Sequence, residues 1–177
     1  MLSALVYCPA THDHKQVTCE AIVRTLGALV PAIVEGILRD VVIVAVKIDS
    51  DLQHIADHAG CALIDANAPD HLFQQGIKAI RGRHVFVLRA GLIAESGFAD
   101  ELADCLVDRM ASALMREQPQ SLIERLLPNL APVGGVLVSK EALLSQASML
   151  KTGTSLAPFT RLVNSKKVLR SRLRRAQ

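Results

Sequence analysis

The chain has 177 residues, half of them hydrophobic, with 20 Lys or Arg against 17 Asp or Glu. This size and composition predict one folded domain with a sizeable core and exclude a disordered chain. No apolar run reaches the ~18 residues of a membrane span, and the four cysteines lack the paired spacing of a zinc site.

The charge is concentrated at the carboxyl terminus. Residues 151–177 carry eight Lys or Arg and no acid, which leaves 12 basic against 17 acidic residues, a balance of −5, before them. We therefore predict a domain over residues 1–160 and a basic amphipathic tail over residues 161–177. The amino terminus has no basic segment before its first apolar run, so we expect a strand there, no signal peptide and a cytoplasmic protein.

Strands and helices alternate through the first half of the chain. Apolar runs predict strands at residues 2–7, 41–46, 61–64 and 84–88. Helical spacing predicts helices at residues 15–29 and 69–80, and a further helix that is capped by Asp49 or Ser50 and ends at Gly60. This alternation with short connections is typical of a parallel sheet with helices on its faces.

The second half has a different pattern. Residues 98–117 are spaced as one long amphipathic helix, and residues 120–127 as a second helical piece. Residues 133–138, which include two adjacent glycines, predict a turn and a short strand, and residues 140–150 predict a last helix.

Five segments occur in an order and spacing typical of one known family: LSALVYCPAT, ILRDVVIVAV, IADHAGCALI, QGIKAIRGRHVFVLRAGLI and GGVLVSKEAL. Over roughly residues 2–165 the chain resembles a glycosyltransferase family 2 domain of GT-A fold. The resemblance implies a single α/β domain of the nucleotide-diphospho-sugar transferase type. Its central sheet would be mostly parallel and flanked by helices, with a shortened acceptor half.

The acids that the family uses for chemistry are missing at the matching positions. In the family, one acid contacts the base or ribose, a DxD pair holds a divalent cation, and another acid deprotonates the acceptor. Here the first position is Val46, the DxD is replaced by Arg89-Ala90-Gly91, and no acid lies near Pro158. The resemblance therefore implies a degenerate member that needs no divalent metal and assigns no catalytic residue or metal ligand.

Three functions follow from this pattern. The first is a pseudoenzyme without standard metal-dependent glycosyl transfer, which serves as a nucleotide-binding or protein-binding module. The second is an active, metal-independent glycosyltransferase that takes a nucleotide-sugar donor and holds its diphosphate with Arg89. The third is a structural module for protein interaction.

The candidate nucleotide contacts lie at the predicted strand ends: Pro9, Asp49, Asp51, Arg89 and Gly91. At the carboxyl end of a parallel strand, the Arg89 guanidinium could meet a diphosphate directly. The alternative is a structural ion pair with Asp49, Asp51 or Glu95, and the two aspartates serve equally well as helix caps.

The basic tail has two interpretations. Lys166, Lys167, Arg170 and Arg174 alternate with apolar residues, which predicts an amphipathic helix on an anionic membrane surface, at the inner membrane face, or on a protein partner. The alternative is a solvated helix docked by its apolar stripe. The acidic body of the chain offers no basic groove and so disfavours nucleic acid as a partner.

Overall fold

The computed structural model describes residues 2–9, 17–66, 71–108, 112–146, 156, 159–160, 163 and 168–176. Its strands are β1 (Leu2–Tyr7), β2 (Leu38–Ala45), β3 (Ala62–Asp65), β4 (His84–Arg89), β5 (Leu92–Ala94), β6 (Ala113–Arg116), β7 (Val133–Ser139) and β8 (Leu173–Arg175). Its helices are α1 (Cys19–Val34), α2 (Ser50–Ala59), α3 (Leu72–Ala79), α4 (Phe98–Val107), α5 (Leu122–Leu126) and α6 (Lys140–Gln146), with a 3₁₀ turn at Pro128–Leu130.

Six strands form the central sheet, in the order β3-β2-β1-β4-β7-β6. The first four are parallel to one another, whereas β7 runs antiparallel to both β4 and β6. Strands β5 and β8 pair separately as a two-stranded antiparallel sheet. The predicted α/β class, with a mostly parallel sheet between helices, is confirmed.

The sheet divides the core into two apolar layers. Along β1, Leu2, Ala4 and Val6 face the layer built with α1, α2 and α4, while Leu5 and Tyr7 face the layer built with α3 and α6. Side chains that alternate between two buried faces explain why the strand is apolar throughout. Because β2, β1 and β4 are adjacent and parallel, their carboxyl ends lie side by side at one edge of the sheet.

The boundaries of α2 follow the predicted signals. Asp49 Oδ1 accepts a hydrogen bond of 2.8 Å from the Leu52 N–H and caps the first turn. The helix ends at Gly60, whose φ of 65° is in the left-handed region that favours glycine. At its carboxyl end, helix α1 continues beyond the predicted residue 29 to Val34, although Pro31 lies inside it.

The predicted helix over residues 98–117 is wrong in its second part. Helix α4 ends at Val107, and β6 begins at Ala113 as a partner of β7. Ala113, Leu114 and Met115 are all buried, which a strand with two covered faces allows and a surface helix would not. As a result, Glu117 lies at the end of a sheet strand rather than on a helix surface.

The strand predicted within residues 133–138 is present, but the turn predicted with it is not, since Gly134 and Gly135 both lie inside β7. A Cβ on Gly135 would come within 2.9 Å of the Phe86 ring, and one on Gly134 within 2.5 Å of Leu92 Cδ1. These glycines therefore allow close packing against the neighbouring side chains.

The tail departs from the predicted helix where it is described. Leu173–Arg175 is extended and pairs with β5, and Leu169 and Leu173 are fully or almost fully buried. These three residues form a strand because they pair with β5, although their sequence spacing predicts a helix. Lys166 and Lys167 lie outside the described residues, as do residues 147–150 of the predicted last helix, which is confirmed over residues 140–146.

Candidate functional site

A pocket of about 240 Å³ opens at the carboxyl ends of β1 and β2. The two strands are joined there by a 2.9 Å hydrogen bond from the Cys8 N–H to the Val44 carbonyl. The pocket is lined by Cys8, Pro9, Val17, Cys19, Ile22, Ala45, Val46, Lys47, Asp49 and Leu52. Crevices at this edge of an open parallel sheet are the usual ligand sites of α/β domains.

Two of the five predicted nucleotide contacts line this pocket. Pro9 and Asp49 are part of its wall, and Asp49 also caps α2. Asp51 lies in the first turn of α2, where its carboxylate interacts with the Ser50 hydroxyl. Arg89 and Gly91 belong to the neighbouring strand end and are absent from the wall. The sequence prediction missed Lys47, whose exposed ammonium group supplies the positive charge in the lining.

Arg89 takes part in a buried ion cluster. Its Nη2 donates to Glu117 Oε1 at 2.7 Å, and Arg175 Nε donates to Glu117 Oε2 at 3.2 Å. The Glu117 side chain is 1% exposed, against 22% for Arg89 and 58% for Arg175. One buried carboxylate therefore joins three elements that are distant in sequence: the ends of β4, β6 and β8.

Glu117 was not among the carboxylates predicted to pair with Arg89. Those of Asp49 and Glu95 are hydrogen bonded elsewhere: Asp49 at the start of α2, and Glu95 to Gln118 and the Arg172 N–H. Among the described residues, Arg89 thus forms an ion pair, but with Glu117 and with none of the three predicted partners. The partner was missed because Glu117 follows β6, and the sequence pattern predicted a helix over residues 98–117 where this strand lies.

Tyr7 lies beside this cluster, opposite Arg89 in the register of β1 and β4. It is 1% exposed, its ring packs on Phe73 at 5.1 Å, and its hydroxyl has no hydrogen-bond partner among the described residues. Burial raises the pKa of this phenol; the nearby Arg89 charge opposes the shift and Glu117 adds to it. The phenol is therefore neutral at any physiological pH.

Gly91 forms the turn between β4 and β5, with a φ of 85°. Its N–H donates to Thr25 Oγ1 at 3.0 Å, and its carbonyl accepts from the Ala176 N–H at 2.8 Å. Thus both backbone polar groups of this glycine bond to protein, one of them to the residue that follows β8.

Cys8 is part of the pocket wall. Burial raises its pKa from 9.0 to about 12, and the proximity of Cys19 and Asp49 adds to the shift. Because a thiolate is the reactive and metal-binding form, Cys8 is an inert wall residue at neutral pH. The Cys19 and Cys61 thiols also have raised pKa values, with burial as the first cause.

No known protein family and no curated protein matches the sequence. Solved structures are similar at low identity. Glucosyl-3-phosphoglycerate synthase from Mycobacterium tuberculosis, in complex with Mn²⁺, UDP and glucosyl-3-phosphoglycerate, matches with a TM-score of 0.64 and 15% identity, over 95% of this chain and 68% of that one. A nucleotidyl transferase from Methanothermobacter matches with 0.62 and 9%, over 100% and 88%.

A third similar structure is the 4-diphosphocytidyl-2C-methyl-D-erythritol synthase from Anaerococcus prevotii, with a TM-score of 0.60 and 11% identity, over 96% of this chain and 88% of that one. The chain has a GT-A-like fold. Its structural neighbours are glycosyl and nucleotidyl transferases, and at these identities the similarity concerns the fold.

Within this GT-A-like domain, the described residues contain no group of three or more His, Cys, Asp and Glu side chains arranged to hold a metal ion. Nor do they include a helix with the length and apolar composition needed to cross a membrane.

Proposed function

We propose that this chain is a degenerate glycosyltransferase family 2-like domain that binds a nucleoside diphosphate or nucleotide sugar and does not perform standard metal-dependent glycosyl transfer. The pocket at the ends of β1 and β2 supports the binding function, because it lies at the ligand-binding edge of the sheet. The similar glucosyl-3-phosphoglycerate synthase, which holds UDP, adds to this support.

The observation that carries the second half of the proposal is the ion cluster of Arg89, Glu117 and Arg175. It occupies the strand end where the family resemblance expects two metal-binding carboxylates. A divalent cation needs several oxygen ligands, and Arg89-Ala90-Gly91 supplies a guanidinium and no carboxylate. The buried carboxylate of Glu117 is already bonded to two guanidinium groups. The residues present therefore do not fit the Mn²⁺ ion of the neighbour.

The pocket residues can bind a nucleotide without a metal ion. The exposed Lys47 ammonium offers a positive charge to phosphate oxygens, and the exposed Asp49 carboxylate can accept a hydrogen bond from a ribose hydroxyl. Pro9 and Val46 add apolar surface for the base or sugar. The chain would thus bind and orient the ligand, with charge supplied by side chains alone.

A second candidate function is metal-independent transfer. Two guanidinium groups bond to one carboxylate at the end of β4, and Arg175 is more than half exposed. The guanidinium groups of Arg89 and Arg175 could neutralise a leaving diphosphate. The third candidate, a structural interaction module, needs no nucleotide.

Thermal unfolding with UDP, GDP and CDP, each with and without Mn²⁺, distinguishes nucleotide binding from a purely structural role. We expect one diphosphate to raise the Tm equally in both conditions. Lys47→Glu should reduce the shift, while Lys78→Glu, on the exposed face of α3 outside the pocket, should preserve it. A shift that requires Mn²⁺ would contradict the proposal, and the absence of any shift would favour the interaction module.

Glucose transfer from UDP-glucose, abolished by Arg89→Ala, would favour the metal-independent enzyme. This variant also breaks an ion pair with a buried carboxylate, so its stability must be measured in the same experiment. Arg24→Ala, which removes an exposed pair with Glu20, is the matched control for the loss of an arginine.

A further inference from the structure

The segment that connects β6 to β7 is rich in exposed apolar residues. We name residues 119–131, which contain α5 and the 3₁₀ turn, the apolar arm. None of the residues of α5 is buried. Five large apolar side chains of the arm are more than half exposed: Leu122 at 76%, Ile123 at 65%, Leu126 at 81%, Leu127 at 57% and Leu130 at 59%. A contiguous set of this kind marks an interaction surface in soluble proteins.

The arm is built without burying these side chains. Ser121 and Glu124 form a reciprocal capping box at the start of α5, so the helix begins with its backbone donors satisfied. At the other end, the Arg116 guanidinium donates to the Ala131 carbonyl at 2.6 Å, and the Glu117 N–H donates to the Pro132 carbonyl at 2.8 Å. Local hydrogen bonds therefore hold the arm in place and leave its leucines available to a partner.

Arginines surround the base of the arm. The Gln118 N–H bonds to the Leu173 carbonyl at 2.7 Å, which places the base against β8 and its exposed residues Arg174 and Arg175. Arg125 is exposed on the arm itself. The pKa of Arg116 is lowered by burial and by the charge of Arg172, which shows that further cations are crowded here.

Among the described residues named for this region, the positive charges outnumber the negative ones by two: the carboxylates of Glu95, Glu117 and Glu124 stand against five arginines, Arg116, Arg125, Arg172, Arg174 and Arg175. The Glu124 carboxylate accepts from the Gln120 and Ser121 N–H groups, and the Glu117 carboxylate is buried between two guanidinium groups. The Glu95 carboxylate accepts from Gln118 and from the Arg172 N–H. The surface of this region therefore combines exposed leucines with outward arginine charge.

We propose that the apolar arm inserts its exposed leucines and Ile123 into an anionic lipid bilayer, with Arg125 and Arg174 against the lipid phosphates. Apolar side chains that enter the acyl boundary and arginines that meet anionic headgroups are the two components of stable interfacial binding. The surface is independent of the nucleotide pocket and of the proposed function.

A second copy of the chain fits the arm less well. The concave apolar groove between α1 and α2, about 500 Å³, could receive the leucines of another copy. However, its lining includes His54 and His58 and no carboxylate, so it offers no counter-charge to the arginines. An anionic bilayer supplies both the apolar medium and the negative charge.

Co-sedimentation with vesicles tests the proposal. The full chain should bind vesicles of equimolar phosphatidylglycerol and phosphatidylcholine, and bind pure phosphatidylcholine at least about tenfold more weakly because the arginine contribution is lost. Leu126→Asp and Ile123→Asp should abolish binding. Val34→Asp and Val107→Asp change side chains that are each 80% exposed on α1 and α4, and they should bind as the unchanged chain does.

Arg125→Gln and Arg174→Gln should each weaken binding to the anionic vesicles by about fivefold and leave binding to phosphatidylcholine unchanged. Equal binding by Leu126→Asp and the unchanged chain would overturn the proposal. So would a dimer in sedimentation velocity that Leu126→Asp converts to a monomer, because the arm would then serve a second copy. Since these positions are exposed, circular dichroism should show all variants folded.

Discussion

The carboxylate of Glu117 lies 2.7 Å from the Arg89 guanidinium, although 28 residues separate the two in sequence. The glutamate is almost completely buried, so its charge depends on Arg89 and Arg175 for compensation. The pair therefore fixes the end of β4 to the end of β6.

Glu117→Gln should lower the free energy of unfolding by about 3 kcal/mol, because it removes the buried negative charge with which Arg89 and Arg175 form ion pairs. Urea denaturation followed by circular dichroism measures this change. Glu20→Gln, which removes the exposed Arg24–Glu20 pair, should cost less than about 0.5 kcal/mol. Equal effects of the two variants would show that burial of Glu117 has no energetic consequence.

Gly135→Ala should destabilise the chain by about 1–3 kcal/mol, because the new Cβ would lie 2.9 Å from the Phe86 ring inside the sheet. Gly27→Ala is the matched control. That glycine is exposed on α1 with nothing within 4 Å of its added Cβ, so the change should stabilise the helix by up to about 1 kcal/mol. Thermal unfolding should move in opposite directions for the two variants; a shared sign would contradict the packing described for β7.

The first half of the fold could be predicted because its signals are local. A buried parallel strand is a short apolar run, and the helix after it begins and ends at residues such as Asp49 and Gly60 that act within one turn. The parallel sheet between helices followed from the order of these units, and the GT-A-like fold from the resemblance of five segments to a known family. The edge of the sheet at which the pocket opens was also expected, since parallel strands end at the same edge, but only Pro9 and Asp49 of the five predicted contacts line it.

The second half could not be predicted in the same way, because its strands are fixed by distant partners. Residues 113–116 have helical spacing with the segment before them, and only pairing with β7 makes them a strand. The same is true of β5 and β8, whose pairing joins residues about eighty positions apart. Because Glu117 follows the first of these segments, the partner of Arg89 was missed with it.

Bound UDP should protect Cys19 from iodoacetamide, since this half-buried thiol lines the pocket. At a ligand concentration of ten times Kd, occupancy should reduce its alkylation rate by about tenfold. Cys61 lines the groove between α1 and α2 and should react at the same rate with and without UDP. Mass spectrometry of the alkylated peptides follows both sites in one sample; protection of Cys61 alone would place the nucleotide elsewhere.

The Cys8 thiol should make the stability of the chain depend on alkaline pH. Its pKa is raised from 9.0 to about 12 by burial, so the folded state keeps the proton where the unfolded state loses it. The contribution is complete below pH 9 and is lost as the pH rises from 9 towards 12, at about 1.4 kcal/mol per pH unit.

Cys8→Ala removes this contribution, so its stability should fall less steeply than that of the unchanged chain between these pH values. The comparison uses the slope against pH and not the absolute stability, because the variant also loses buried volume. Parallel slopes in urea denaturation at a series of pH values would mean that Cys8 ionises as freely in the folded state as in the unfolded one.

The central claim is that this GT-A-like domain binds a nucleoside diphosphate without a divalent metal, and calorimetric titration with UDP tests it most directly. Titrations in EDTA and in Mn²⁺ should give the same Kd within about twofold, because on this proposal Lys47 supplies the positive charge for the phosphates without a metal ion. Binding that appears only with Mn²⁺, or tightens about tenfold or more with it, would contradict the account.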